Sequence, residues 1–164
     1  MAIRLVKTAM VASFALLALF AAFNNLLDGG STKTFVRHVL GMDTTFPDSA
    51  LRARAIDSAV AVTVAYWLIV VGEAVTGMLL ALGGLRLALA LRAPAADFNA
   101  AKSLAVLGGA AGLLLWFTGF MVVGGEWFAM WQSKEWNAVP SAFNLVVVLL
   151  LVLIFLIQRD EEAA

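Results

Sequence analysis

The chain has 164 residues, 63% of them hydrophobic and 13% charged, with a mean hydropathy of +0.95, which lies outside the soluble globular range and inside the membrane class. Eleven basic residues balance eleven acidic ones and no block of like charge occurs, so the electrostatic footprint of nucleic-acid binding is missing. The absence of cysteine excludes disulfides, thiolate metal sites, iron–sulfur clusters and covalent haem attachment within the chain.

A helix that crosses a hydrocarbon core of ~30 Å needs about 20 mainly apolar residues. Four segments meet that requirement, at about residues 5–27, 56–85, 103–124 and 140–157. Their length and lack of strict alternation exclude barrel strands. The expected fold is an all-α membrane protein, a single domain over residues 1–164 built as a four-transmembrane-helix bundle with a short interfacial helix in the first external loop.

The first span follows Arg4 and Lys7 and imitates a signal peptide, but it lacks a small-x-small cleavage site and is read as a retained helix. Asp28-Gly29-Gly30 ends it, and Ser31 or Thr32 is placed to cap a short helix. On that helix Phe35, Val36, Val39 and Leu40 share one face and Arg37 and His38 the other. The turn MDTTFPDS follows, and Asp48 or Ser49 is expected to cap a helix running through Arg52 and Arg54 into the second span.

Glu73 is the only charge inside the second span. A carboxylate at mid-membrane costs about 2.5–3.5 kcal/mol on insertion scales, so Glu73 should face the bundle interior, either as a proton-coupled or ligand-binding group or in an internal pair, with Lys7 as the candidate partner. The connector LRAPAADFNAAK reads as a plain tight turn that Asp97 or Asn99 caps. In the third span Gly108 and Gly112 make a small-xxx-small pair and Gly119 follows one heptad later, which predicts close approach of a neighbouring helix. Asn24, Asn25 and Asn144 lie at the ends of spans, where amides bridge helices or bind interfacial water.

The second long connector, GGEWFAMWQSKEWN, holds three of the five tryptophans. An aromatic belt at the headgroup level accounts for them; the sharper alternative is a recognition surface of Trp127, Trp131 and Trp136 with Glu126, Gln132 and Asn137 as polar partners. This connector and FVRHVLGMDTTFPDS in the first loop closely resemble the loop motifs of a bacterial family of small integral membrane proteins, a domain of unknown function. The resemblance covers essentially the whole chain. It implies a four-helix membrane fold and marks His38, Met42, Asp43, Glu126, Trp127, Trp131, Gln132, Trp136 and Asn137 as motif positions, without bringing a reaction.

Orientation rests on Lys and Arg in the short flanks. The terminal side carries Arg4, Lys7, Arg86, Arg92, Lys102 and Arg159, and the other side Lys33, Arg37, Arg52, Arg54 and Lys134. Because Arg4 and Lys7 flank the first helix, the termini are expected in the cytoplasm of a bacterial inner-membrane protein.

Three functions fit these features. The preferred one is a non-catalytic accessory subunit or binding module of a larger inner-membrane complex, with lipids and other subunits or a second copy as partners. The second is a small oligomeric proton-coupled transporter that uses Glu73. The third is a membrane enzyme or a quinone- or lipid-binding protein at the external face, with His38, Asp43 and Glu126 as an acid/base group or a weak metal site. No cofactor is expected beyond a lipid or quinone resting on the tryptophans. A single histidine excludes bis-histidine haem ligation within the chain, and His38 and Met42, four apart on one helix, cannot take opposite axial positions.

Overall fold

A computed structural model describes residues 1–162. Helix α1 spans Ala2–Leu27, α2 Gly29–Gly41, α3 Ala59–Leu89, α4 Ala95–Ala101, α5 Ser103–Leu113 and α6 Val139–Ile157. Helix α5 continues as a π-helix over Leu114–Trp127, so α4, α5 and the π segment form one rod of 33 residues. This rod, α1, α3 and α6 are each long and apolar enough to cross a membrane. The protein is an all-α, multi-pass, four-helix bundle with a short extra helix in its first connector.

Two apolar clusters hold it together. Phe14, Leu80, Phe98, Trp116, Leu149 and Leu156 belong to the one in the spanning bundle. The second joins Val36, Val39, Leu40 and Met42 of the first connector to Val62 of α3 and Phe128, Ala129 and Met130 of the second. In lipid the surroundings are as apolar as leucine, so close fit rather than exclusion from water drives helix association. Small residues supply that fit. A Cβ on Gly108 would lie 2.8 Å from the backbone nitrogen of Leu80, and one on Gly112 would meet Leu149, Thr76 and Trp116 at 2.9–3.0 Å.

Gly119 does not join them. Nothing lies within 4 Å of the Cβ it lacks, and it borders an apolar recess of ≈ 240 Å³ between α2, α3 and the π segment. Placing it one heptad after Gly112 assumes α-helical winding. Beyond Leu113 the hydrogen bonds skip five residues, as in the bond from Phe128 N to Val123 O at 3.0 Å, and the wider turn rotates Gly119 off the packed face.

Helix starts also depart from the expected caps. Asp28, not Ser31 or Thr32, caps α2, its carboxylate accepting from Ser31 N at 3.4 Å. Ser49 caps only a 3-10 turn, Ala50–Arg54, and α3 begins separately at Ala59 under Ser58, whose hydroxyl accepts from Ala61 N. The chain therefore breaks between Arg52-Ala53-Arg54 and the span. Helix α2 packs its apolar face on α3 and the second connector: Gly29 lies against Tyr66, and Leu40 O accepts from Ile56 N at 2.8 Å.

Candidate functional site

The two connectors on the face opposite the termini meet and lock. Gln132, 8% exposed, accepts from Phe46 N at 3.1 Å through its side-chain oxygen. Thr44 Oγ1 donates to Ser133 Oγ at 2.9 Å, and the same oxygen accepts from Trp136 N at 2.9 Å. Across the seam the His38 ring stacks on Trp136 with centroids 4.5 Å apart and planes 14° apart, while its Nδ1 lies 2.8 Å from the Asp43 carboxylate. Phe46 meets Trp131 edge to face at 5.9 Å. The Arg54 guanidinium sits 4.7 Å from the Trp127 ring centroid and donates to Trp127 O.

Each connector carries one non-glycine residue in the left-handed region, Met42 at φ 48° and Ala129 at φ 51°. Such positions usually take glycine and persist only where packing over-determines them. Both side chains are fully buried in the second cluster, and Thr45 Oγ1 donates to Met42 O at 2.6 Å. Met42 is thus a packing anchor turned inward, and it is not available to a partner. Gln132 likewise works within the protein, and Asn137 Oδ1, just ahead of α6, accepts from Val139 N at 3.0 Å. Arg37, Asp43, Glu126, Trp127 and Trp131 are exposed. Phe46, Arg54, Thr44 and Ser133 are members of this platform that the sequence reading missed; the signal available was that Phe46 belongs to the same motif as His38 and Asp43.

Ser133→Ala removes the acceptor of two bonds at once and leaves the part-buried Thr44 hydroxyl and Trp136 N–H without it. A loss of about 1–3 kcal/mol is expected, checked as a lower unfolding midpoint of the purified protein in micelles.

Below the platform, Glu73 lies in the membrane-spanning part of α3 and is 5% exposed. Its Oε2 accepts from Asn25 Nδ2 at 2.8 Å; Asn25 Oδ1 in turn accepts from Thr32 Oγ1 at 2.7 Å, and Asn25 O from Tyr66 OH at 3.0 Å. The expected pairing with Lys7 does not occur. Lys7 lies at the terminal face, where it meets Asp160, whereas α1 brings Asn25, near its opposite end, to Glu73. Asn24 and Asn144 stay exposed and take no part.

The terminal face is as tightly built. Asp160 Oδ2 accepts from Lys7 Nζ at 2.7 Å and from Lys102 Nζ at 2.5 Å, with all three side chains at most 6% exposed. Gln158 O accepts from both lysines. Burial by itself would raise the Asp160 carboxyl, but the hydrogen bonds and charges of Lys102 and Lys7 outweigh it and hold the group below the ordinary aspartate range. Arg4, 2% exposed, donates to Leu91 O, Ala93 O and Glu161 O. The connector before α5 is therefore more than a plain turn. Neither Asp97 nor Asn99 caps α4; the Glu162 carboxylate does, accepting from Ala95 N at 3.2 Å, and Asn99 is bound to Lys102 and to the backbone of Asp160.

Among the described residues no three of His, Asp and Glu converge to hold a metal ion. Four spans crowned by an interlocked aromatic rim define a small multi-pass membrane protein. The chain belongs to the family described as predicted small integral membrane protein (DUF2165), whose model matches residues 3–159. No curated protein and no solved structure matches it.

Proposed function

We propose that the protein is a non-catalytic binding module, an accessory subunit that docks a partner membrane protein through the fused loop platform. The observation that supports this reading is the Phe46–Trp131 pair: two aromatic rings from different connectors, 53% and 48% exposed, held edge to face on backbone tied by the Gln132 and Ser133 bonds. Side chains fixed before an encounter lose little freedom in it, and rigid exposed aromatics are favoured as binding anchors. Arg37, Asp43, Arg52, Glu126 and Lys134 are exposed on the same two connectors, polar side chains of the kind expected in the rim of an apolar contact. In this reading the chain sits in a bacterial inner membrane with cytoplasmic termini, and the platform faces the other compartment.

The test is the double variant Phe46→Ala, Trp131→Ala, solubilised gently from native membranes. Anchors of this kind are worth about 2–4 kcal/mol each, so the wild-type chain should run in a stoichiometric complex and the variant as a free chain of 17.4 kDa plus detergent, with unchanged helicity and melting. Identical particle sizes for the two proteins would overturn the reading; a particle containing only copies of this chain would make the partner a second copy.

A further inference from the structure

The Glu73 carboxylate opens onto a cleft of ≈ 470 Å³, within the range of about 300–1,000 Å³ typical of ligand pockets. Helices α1 and α6 are tied at the terminal face through Lys7, Gln158 and Asp160. Toward their other ends Asn25 and Ser141 line the opposing sides of this cleft. Trp116 and Phe120 of the π segment contribute to its wall, and Phe35 and Trp136 come from the two connectors. Phe35 lies 6.3 Å from both Phe120 and Trp136, centroid to centroid. A π segment at this point is itself suggestive, since such windings recur at functional sites.

The chemistry of the lining is one-sided. Glu73 Oε2 is held by Asn25, but Oε1 has no hydrogen-bond partner among the described residues, and no described Lys or Arg pairs with the carboxylate. None of the residues lining the cleft is basic. The Thr32 hydroxyl spends its proton on Asn25. A carboxylate inside a membrane protein needs a pairing group, and the described residues supply an amide for one oxygen and nothing for the other. Aromatic faces attract cations through their ring quadrupoles. An anion would be repelled here, and a purely apolar chain would leave Oε1 unmatched.

We infer that this cleft binds an amphiphile with a primary ammonium head, the ammonium donating to Glu73 Oε1 and its apolar body lying along Phe35, Phe120 and Trp136. The ammonium has two possible sources, the headgroup of a membrane lipid or a free long-chain amine. Residues of the docking platform other than Trp136 play no part, so the site stands or falls separately from the partner reading.

The test titrates the full chain in neutral maltoside micelles with dodecylammonium, and with dodecanol as its uncharged match, following heat by calorimetry. Saturable binding of dodecylammonium and none of dodecanol is expected. Glu73→Gln keeps an acceptor for Asn25 but loses the charge, and should weaken binding by about thirtyfold; Ser141→Phe, which adds bulk to the α6 side of the cleft and leaves the Glu73 charge in place, should abolish it. In native mass spectra, retention of phosphatidylethanolamine over phosphatidylglycerol, with displacement by dodecylammonium, assigns the site to a lipid headgroup. Dodecylammonium binding without such retention assigns it to a free amine. Equal binding of the amine and the alcohol by the wild-type chain, which needs no variant to fold, would overturn the inference, as would unchanged amine binding by a folded Glu73→Gln protein.

Discussion

Asp160→Ala is expected to destabilise the protein by about 3–5 kcal/mol, the cost of breaking a buried ion pair by removing one partner. Lys7 and Lys102 both donate to the same carboxylate oxygen, and without it two ammonium groups at most 6% exposed face each other with Gln158 O and Asn99 as the remaining hydrogen-bond acceptors among the described residues. The damage should be recoverable in part. Adding Lys102→Met to the Asp160→Ala background removes one stranded charge, and the two changes should be strongly non-additive, as expected for groups in one network. Unfolding in mixed micelles by increasing denaturing detergent gives the measurement; a change within about 0.5 kcal/mol, the range of an ordinary surface substitution, would show that the clamp carries little. Acidification reports on the same group. Because its carboxyl is held below the ordinary value of about 3.9, the stability it contributes is complete above that value and is lost as pH falls through the lower value of the folded protein. Asp160→Ala should therefore flatten that acid limb of the stability profile.

The clamp also shows where sequence reading runs out. Four spans were legible because a hydrocarbon core demands long apolar runs, which few other constraints imitate. The meeting of the two polar connectors was legible because two spans, an even number, separate them and put both on one face, and each connector is rich in residues that seek partners there. The residues QRDEE at the end of the chain look like a solvated tail, since acidic side chains near a terminus need no explanation. Only the fold reveals that α1 delivers Lys7, and the junction of α4 and α5 delivers Lys102, to the level where α6 ends. The π winding was equally hidden: a run such as LLWFTGFMVVGG has no feature that sets five-residue over four-residue bonding. Gly119 is misplaced by the sequence for that reason, and the Glu73–Lys7 pairing rests on placing both groups toward the same membrane side, whereas Lys7 lies at the terminal face and Glu73 at the depth of Asn25.

Depth matters to how the two ends divide the work. At the terminal face the chain neutralises its buried cations with its own carboxylate and backbone oxygens. At the platform it pairs His38 with Asp43 and spends Gln132, Thr44 and Ser133 on locking the connectors. Between them, among the described residues, Glu73 keeps one carboxylate oxygen without a hydrogen-bond partner beside aromatic faces. A protein that satisfies its other buried ionic groups internally and leaves this one facing a cleft places its available binding chemistry there and on the exposed rings above it.

The helix crossing beneath that cleft supplies the second large effect. Gly83→Ala is expected to cost about 1–3 kcal/mol, the usual penalty of overpacking, although the change adds one methyl group to a helix. The added Cβ would lie 2.5 Å from Ala105 N and 2.7 Å from Ala105 Cα. These are backbone atoms of α5, so no rotamer change relieves the clash and the two helices must move apart along the seam that Gly108 and Leu80 also share. Its neighbour is the control. A Cβ on Gly84 meets nothing closer than Val11 Cγ1 at 3.5 Å, an ordinary contact with α1, so Gly84→Ala should stay within about 0.5 kcal/mol of wild type. Both substitutions add the same apolar volume and the same helix propensity at adjacent positions, which removes composition as an explanation of any difference. Denaturing-detergent unfolding of the pair isolates the geometry. If Gly83→Ala proved as harmless as Gly84→Ala, the α3–α5 crossing could not be held at backbone contact distance, and the placement of Trp116 and Phe120 above it, on which the Glu73 cleft depends, would lose its support.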